Sequence, residues 1–257
     1  YYLSRMKAAH TLYGRRLVDV LDLHWYPEAK GASSGTRVTG TSTAADVVEA
    51  RIQSPRSLWD PNYREVSWVA NSLGGPIRLL PRIAAKIEAT YPGTSLAVTE
   101  WNYGGGHHIS GAIATADVLG IFGRDGVYAA NLWALNSDER YTMGALQAYR
   151  NFDGVGARFG DRSMQAISSD VAAGSIYASF DAAAPSRVVI VAINKRSTPR
   201  IAGITVAHAN RFQTAAVYTM RDGTPQPTPA GTITSVATNA FRYTMPAYSV
   251  SVLLLRP

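Results

Sequence analysis

Hydrophobic residues follow two different patterns along this chain, and the change comes near residue 158. In residues 1–157, short apolar runs alternate with longer segments in which apolar positions recur every three or four residues. Runs of the first kind are typical of buried strands, and segments of the second kind are typical of amphipathic helices. Their alternation predicts a parallel sheet with right-handed crossover connections.

Three predicted strands organise this first region. They span Leu17–Tyr26, Leu96–Thr99 and Val127–Leu135. One predicted helix ends near Gly14. Four more cover Asp46–Gln53, Leu80–Tyr91, Ser110–Phe122 and Tyr141–Asn151. Pro81 suits the first turn of its helix, and Ser110 suits a helix N-cap.

The first strand has one polar face and one apolar face. Alternation places two sets of residues on opposite sides, with Asp22, His24 and Tyr26 on one and Leu21, Leu23 and Trp25 on the other. If helices cover the apolar side, then His24 and Tyr26 point inward near the C-terminal end. A lone histidine at a strand end is more often a structural residue, but a second strand ends in the same style, which favours a site.

Glu100 ends the second strand and is followed by Trp101, Asn102 and Tyr103. In barrels of alternating strands and helices, the C-terminal strand ends carry the chemistry. The structural alternative is an ion pair between Glu100 and an arginine at the rim. The aromatic neighbours, together with Trp133 near the end of the third strand, favour a sugar site, because aromatic faces stack on pyranose rings.

The segment from Glu28 to Pro76 is long and rich in Gly, Ser and Thr over residues 31–43. A connection of this length inside a compact domain is usually functional. It carries Trp59, Tyr63 and Trp68, which either anchor the loop or contact a ligand.

Past residue 158, short runs of β-forming residues lie between turn residues. They span Ile176–Phe180, Val188–Asn194, Ile201–Val206, Thr214–Thr219, Thr232–Ala237, Phe241–Met245 and Ser249–Leu255. Seven such strands predict an antiparallel β-sandwich. The region has no Trp and no Glu, which favours a structural companion over a carbohydrate-binding module. We therefore predict two domains, residues 1–157 and residues 158–257.

Composition excludes several classes of protein. The chain has no cysteine, which excludes disulfides and thiolate chemistry, and no apolar run approaches the length of a membrane span. Its net charge of +7 comes mainly from residues 158–257, where 10 basic residues face 4 acidic ones. Because those basic residues are spaced singly, we expect a solvated surface and neither a nucleic-acid nor a membrane partner.

Motifs of other catalytic and binding classes do not occur in this sequence with the spacing that they require. The glycines at 104–106 are followed by Ile109 where a dinucleotide fingerprint needs glycine, and no P-loop lysine follows. His107 and His108 are adjacent, which is poor geometry for one metal, so no metal ligands are assigned. No Gly-x-Ser-x-Gly elbow occurs, which leaves carboxylate chemistry. Such chemistry requires no cofactor, and the sequence does not show whether a structural calcium is bound.

Several motifs together resemble glycoside hydrolase family 44, the endoglucanase and xyloglucanase family. They are Leu-Asp-Leu-His-Trp-Tyr-Pro at 21–27, Ser-Leu-Trp-Asp-Pro at 57–61, Tyr-Pro-Gly-Thr at 91–94, Val-Thr-Glu-Trp-Asn-Tyr-Gly at 98–104, Ile-Ser-Gly at 109–111 and Ala-Asp-Val-Leu-Gly-Ile-Phe-Gly at 116–123. The resemblance runs from about residue 1 to the C-terminus and is most specific over residues 17–135.

The resemblance implies the C-terminal part of a (β/α)8 barrel, about strands six to eight, joined to a β-sandwich. It implies a retaining hydrolase of β-1,4-glucans, secreted by a bacterium, although the residues themselves leave the compartment open. Glu100 would be the nucleophile on the seventh strand, with His24 and Tyr26 at the end of the sixth and Trp133 at the end of the eighth. The remaining predicted substrate-binding residues are Trp59, Trp68, Trp101, Asn102 and Tyr103.

The resemblance also exposes what this chain does not contain. In the family, the acid/base is a glutamate preceded by asparagine on the fourth strand, and no Asn-Glu pair occurs here. Retaining hydrolysis needs two carboxyl groups about 5 Å apart. We therefore expect an N-terminal half to be the partner of this chain, whose first residues look like the middle of a helix. The alternative sources of a second carboxyl group are Glu28, Glu65 and Glu139.

Two other functions remain open at this stage. The chain could be a non-catalytic polysaccharide-binding remnant that keeps an aromatic groove. It could also belong to a retaining xylanase or mannanase, because no residue here discriminates the substituent on C6 or an axial hydroxyl.

Overall fold

The computed structural model describes all 257 residues of the chain. The first region comprises α1 (Tyr2–Tyr13), β1 (Val20–Trp25), α2 (Ala45–Gln53), α3 (Trp68–Ser72), α4 (Leu79–Thr90), β2 (Ser95–Trp101), α5 (Ile109–Arg124), β3 (Ala129–Leu132) and α6 (Arg140–Arg150). A short 3-10 helix, Ser54–Leu58, follows α2. The second region comprises β4 (Arg162–Met164), β5 (Gly174–Asp181), β6 (Ala184–Asn194), β7 (Arg200–Thr205), β8 (Thr214–Arg221), β9 (Thr224–Ala237), β10 (Ala240–Met245) and β11 (Ser249–Arg256).

The first region is an α/β unit with a three-stranded parallel sheet, in the order β1-β2-β3. This confirms the predicted parallel arrangement. β2 is the central strand, and its buried residues are Ala97, Val98 and Trp101. β1 and β3 each pair on one edge only.

Two helix ends show how local chemistry sets the boundaries. α1 ends at Gly14, whose φ of 66° is the left-handed conformation that glycine adopts most easily. The predicted N-cap of α5 is wrong: His108 is the capping residue, and its Nδ1 accepts a hydrogen bond from the Ser110 N–H. Ser110 lies inside the first turn instead, where its hydroxyl accepts a hydrogen bond from Arg51.

The second region is one continuous antiparallel sheet in the order β4-β5-β6-β11-β8-β9-β10-β7. All seven predicted strands are present. The sheet curls until its two ends face each other across a core of 14 buried residues, which come from β5, β6, β7, β8, β10 and β11 and from Val206 and Phe212 beside them. The curled sheet thus forms the two facing layers that the predicted sandwich requires.

β9 is much longer than predicted. The prediction is too short because the first half of this strand contains Pro225, Pro227 and Pro229. Proline cannot donate to a sheet ladder, so such a run argues against a strand. The structure accommodates it with register shifts in the pairing of β8 with β9. The three-residue β4 is too short to be recognised from its sequence.

One hydrophobic core joins the two regions. Its 27 buried residues include Ile113 and Ile121 of α5, Ala145 of α6, and Val191 and Val252 on the outer face of the curled sheet. The predicted boundary at residues 157/158 falls in the connection between α6 and β4, and it stays a prediction. No helix is long and apolar enough to cross a membrane.

Candidate active site

Glu100 lies at the C-terminal end of β2, beside the end of β1. Tyr26 donates its hydroxyl to Glu100 Oε2 at 3.1 Å, and His24 Nδ1 lies 3.3 Å from the same oxygen. No protein hydrogen bond reaches Glu100 Oε1. The Glu100 side chain is 31% exposed and that of His24 is 52% exposed, so the cluster faces open space. The structure therefore brings together the three residues that the strand ends predicted.

The Tyr26 hydroxyl is suited to remain a hydrogen-bond donor. Partial burial raises the pKa of Tyr26, and its bond to the Glu100 carboxylate raises that pKa further. A neutral phenol beside a carboxylate donates its proton without transferring it. Tyr26 thus holds one oxygen of Glu100 in place.

A β-bulge precedes Glu100. Leu23 of β1 is aligned with Val98 of β2, but the next residue of β1, His24, is aligned with Glu100, so Thr99 is the extra residue. Because of this shift Glu100 shares the inner face with His24, and Trp101 shares the outer face with Trp25.

Trp101, Asn102 and Tyr103 do not lie on the open face, which corrects their assignment as substrate contacts. Their exposures are 1%, 0% and 0%. Trp101 packs edge-on against Phe122 behind the sheet, and the Tyr103 hydroxyl accepts a hydrogen bond from Trp25 Nε1 at 3.1 Å. A fully buried side chain offers no surface for a sugar. The bulge accounts for Trp101 and Tyr103, which lie on the outer side of the strand.

Asn102 instead ties together the loops that follow β2 and β3. Its amide nitrogen donates to the Trp133 carbonyl at 2.7 Å, and its amide oxygen accepts from the Gly104 N–H at 2.7 Å. Glu139 accepts the N–H groups of Leu135 and Asn136 at 3.0 and 3.2 Å. These bonds fix Trp133 relative to the strand that carries Glu100.

The Gly104–Gly106 loop allows neighbouring segments of the chain to pack closely. A side chain at Gly104 would collide with the Thr39 backbone, one at Gly105 with the guanidinium of Arg51, and one at Gly106 with the carboxylate of Glu139. Gly104 and Gly105 also have φ values of 73° and 63°. The segments that carry Thr39, Arg51 and Glu139 meet at this loop, and they can approach it closely because glycine has no side chain.

Arg51 is a site-supporting residue that sequence analysis missed. It is fully buried, and its guanidinium donates to the carbonyls of Val38, Gly40 and Ser42 and to the hydroxyl of Ser110. Burial lowers its pKa to about 10. No sequence signal distinguishes it from the exposed arginines of an amphipathic helix.

The other predicted tryptophans divide into two groups. Trp133 is 57% exposed just past β3, and Trp68 is 64% exposed at the start of α3. Trp59, by contrast, stacks on the Arg124 guanidinium, 4.3 Å from the ring centroid. It lines a cavity of about 570 Å³ beside Ser95, at the N-terminal end of β2. Trp59 is therefore remote from Glu100, and its assignment to the same site is corrected.

The three alternative carboxyl groups all have structural partners. Glu28 forms an ion pair with Arg37 at 2.7 Å. Glu65 is only 3% exposed and accepts a hydrogen bond from Ser57. Glu139 accepts the loop N–H groups described above. No group of three or more His, Asp or Glu residues is arranged to hold a metal ion.

Comparison with known proteins finds that this chain is similar to glycoside hydrolases. The sequence model of glycoside hydrolase family 44 matches residues 1–29. Endoglucanase A of Paenibacillus lautus is 42% identical over 258 residues, which cover 100% of this chain and 37% of that protein. Beta-mannanase/endoglucanase A of Caldicellulosiruptor saccharolyticus is 37% identical, covering 97% of this chain and 20% of that protein.

A solved structure agrees over the full length of the fold. The family 44 xyloglucanase of Paenibacillus polymyxa superposes with a TM-score of 0.94 at 40% identity, covering 99% of this chain and 50% of that one. The chain belongs to glycoside hydrolase family 44. It spans about half the length of the solved structures it matches and 37% or less of the curated relatives.

Proposed function

We propose that this chain supplies the nucleophile part of the active site of a retaining endo-β-1,4-glucanase. The observation that carries the proposal is the Glu100 carboxylate at the C-terminal end of a parallel strand, with one oxygen held by Tyr26 and His24 and the other free. A nucleophilic carboxylate needs this asymmetry, because one oxygen must be fixed while the other forms the new bond.

The mechanism is a double displacement. Glu100 Oε1 attacks the anomeric carbon while the leaving oxygen takes a proton from a general acid, which gives a glycosyl ester of Glu100. Water, deprotonated by the same second group, then cleaves that ester and restores the carboxylate. Tyr26 and His24 orient Glu100 through Oε2 in both steps.

The general acid lies outside this chain in our proposal. Glu28, Glu65 and Glu139 are each engaged elsewhere, and the exposed inner face of β1 has no covering element here. Further strands of the same enzyme would pair with the outer edges of β1 and β3, close the barrel and bring the second carboxyl group to Glu100. Exposed parallel edges of this kind otherwise invite aggregation. We further propose that the enzyme is secreted, since its polymeric substrate lies outside the cell.

Exposed tryptophans supply the sugar contacts. Trp133 is fixed beside the Glu100 strand through Asn102, which suits a platform under the sugar whose bond is cut. Trp68, which is exposed on α3, is suited to a further sugar contact. A second candidate activity is mannan hydrolysis, because one relative carries a mannanase name together with an endoglucanase name.

The test is Glu100→Gln in the complete enzyme, with Glu88→Gln on the exposed face of α4 as the control. We expect Glu100→Gln to lower kcat by about three orders of magnitude or more while binding of cello-oligosaccharides persists. Glu100→Gly should regain turnover with azide and release an α-glycosyl azide. Near-normal activity of Glu100→Gln would overturn the assignment.

A substrate panel separates the remaining functions. Carboxymethylcellulose, xyloglucan, xylan and mannan are compared by release of reducing sugar from the same enzyme. Highest kcat/KM on mannan or xylan would replace the glucanase assignment. Binding without hydrolysis of any of the four would establish a polysaccharide-binding remnant.

A further inference from the structure

We infer that Asp22 is a positioning residue, which holds the β-bulge at Thr99 and thereby turns Glu100 toward the inner face of the sheet. Asp22 lies on β1, two residues before His24, on the same inner face. It is thus about 7 Å deeper than the reacting groups, one repeat of the strand. The inference rests on the proposed role of Glu100 as nucleophile.

The bulge decides which way Glu100 points. Val98 faces the helices, as its complete burial in the core shows. In a regular strand Thr99 would then face inward and Glu100 outward, into that core. One extra residue reverses this parity, so that Trp101 fills the core and Glu100 reaches His24. Without the bulge, a carboxylate would be buried among apolar side chains.

Asp22 supplies the contacts that an extra residue requires. A bulge leaves the inserted residue outside the regular ladder of hydrogen bonds. Asp22 Oδ1 accepts the Thr99 N–H at 3.1 Å, and Asp22 Oδ2 accepts the Thr99 hydroxyl at 2.6 Å. Both atoms of one carboxylate therefore bind one residue, by its backbone and by its side chain.

Asp22 has no basic partner. It forms no ion pair with lysine or arginine, and its carboxylate instead accepts both hydrogen bonds from Thr99. The hydrogen bond from the Thr99 hydroxyl is the main reason why the pKa of Asp22 lies below its ordinary value. The carboxylate is thus stabilised by the bulge, and by reciprocity it stabilises the bulge.

The test compares Asp22→Ala with Thr99→Val in the complete enzyme. We expect kcat to fall about 100-fold for Asp22→Ala and about tenfold for Thr99→Val, because a displacement of about 1 Å at a reacting group costs that order of rate. KM should change less than about twofold, since the groove is intact. Thr99→Ser, which returns the hydroxyl, should recover most of the rate lost in Thr99→Val.

Two readouts separate misplacement of Glu100 from general damage. The rate of covalent labelling by a 2-deoxy-2-fluoro-cellobioside with a good leaving group, followed by intact mass, should fall in parallel with kcat. Asp19→Asn is the matched control, because Asp19 is an exposed carboxylate just before β1 that pairs with Arg16. It should label at the normal rate.

Failure of this inference is distinct from failure of the proposed function. If Glu100→Gln abolishes labelling but Asp22→Ala labels normally, then Asp22 does not position the nucleophile. If Glu100→Gln itself labels and turns over, the proposed function fails first. A raised KM with unchanged kcat in Asp22→Ala would also overturn the inference, because it would indicate a substrate contact.

Discussion

The parallel and the antiparallel regions of this molecule treat their inner faces in opposite ways. β11 of the curled sheet is buried almost from end to end and β6 is buried over residues 188–194, and both faces of these strands pack against apolar side chains. In β1, by contrast, exposed and half-buried residues alternate, and the exposed ones are Asp22 and His24. The antiparallel sheet packs against apolar side chains of this chain, whereas the parallel sheet presents polar groups on a face that nothing in this chain covers.

This difference suggests different roles for the two regions. Fully buried strands leave no group free to meet a ligand, so through β6 and β11 the antiparallel region acts by packing. It supports α5 and α6, whose preceding loops surround Glu100 and Trp133. If that division is correct, substitutions between the regions should change stability, whereas substitutions on the open face should change activity.

The largest expected effect on stability is at the buried ion pair between the regions. Lys195, just past β6, contacts Asp117 of α5 at 2.7 Å, and both side chains are 1% exposed. Tyr177 also donates to Asp117, at 2.6 Å. Lys195→Met leaves this carboxylate buried without its cation, which should lower the free energy of unfolding by about 3–5 kcal/mol. Urea denaturation measures the loss.

Two variants control this experiment. Asp117→Asn combined with Lys195→Met keeps an acceptor for Tyr177 and removes both charges, so most of the stability should return. Arg200→Met breaks the more exposed pair with Asp170 and should cost less than about 1 kcal/mol. A loss below that figure for Lys195→Met would mean that the regions do not depend on this pair.

A smaller effect is expected where α6 approaches the curled sheet. A side chain at Gly144 would collide with the carbonyl oxygen of Pro225 in β9. Gly144→Ala should therefore destabilise the protein by about 1–3 kcal/mol. Gly123→Ala in α5 is the matched control: nothing lies within 4 Å of the added methyl, so it should gain about 0.5–1 kcal/mol. Thermal melting of both variants would decide, and equal shifts would contradict the close approach.

Alternation along the chain predicted the cluster of His24, Tyr26 and Glu100 but not its surroundings. His24 and Tyr26 could be placed with Glu100 because strand ends converge in any parallel sheet. Trp101 and Tyr103 were misplaced because the inserted Thr99 reverses the faces of the strand, and a bulge has no signature in composition or period. The same limit applies to β9. Its prolines argue against a strand, and pairing with the neighbouring strands stabilises it.

Residues that act through other chain segments were also beyond sequence reasoning. Arg51 is 59 positions from the hydroxyl it binds on Ser110. Trp59 lies near the Glu100 strand in space but at its opposite end, and nothing in its local sequence indicates which end. The positions of Arg51 and Trp59 depend on the path by which irregular loops return to the sheet.

The smallest expected effect concerns a buried carboxyl group in the parallel region. Burial, with a minor contribution from Glu28, raises the pKa of Glu65, and hydrogen bonds from Ser57 and Ser67 oppose the shift only in part. The folded state therefore holds the Glu65 proton more tightly than the unfolded state does. The resulting stability is fully present below the unfolded-state pKa near 4.5 and is lost as pH rises through the folded-state pKa.

Glu65→Gln removes this pH dependence because glutamine stays neutral. Relative to the unsubstituted protein, the variant should gain on the order of 1 kcal/mol between pH 4.5 and pH 7.5. Urea denaturation at both pH values measures the gain, with the exposed Glu88→Gln as a control that should show none. Equal pH dependence with and without the substitution would mean that Glu65 is ionised in the folded protein. The parallel region would then tolerate a buried charge that the hydroxyls of Ser57 and Ser67 stabilise.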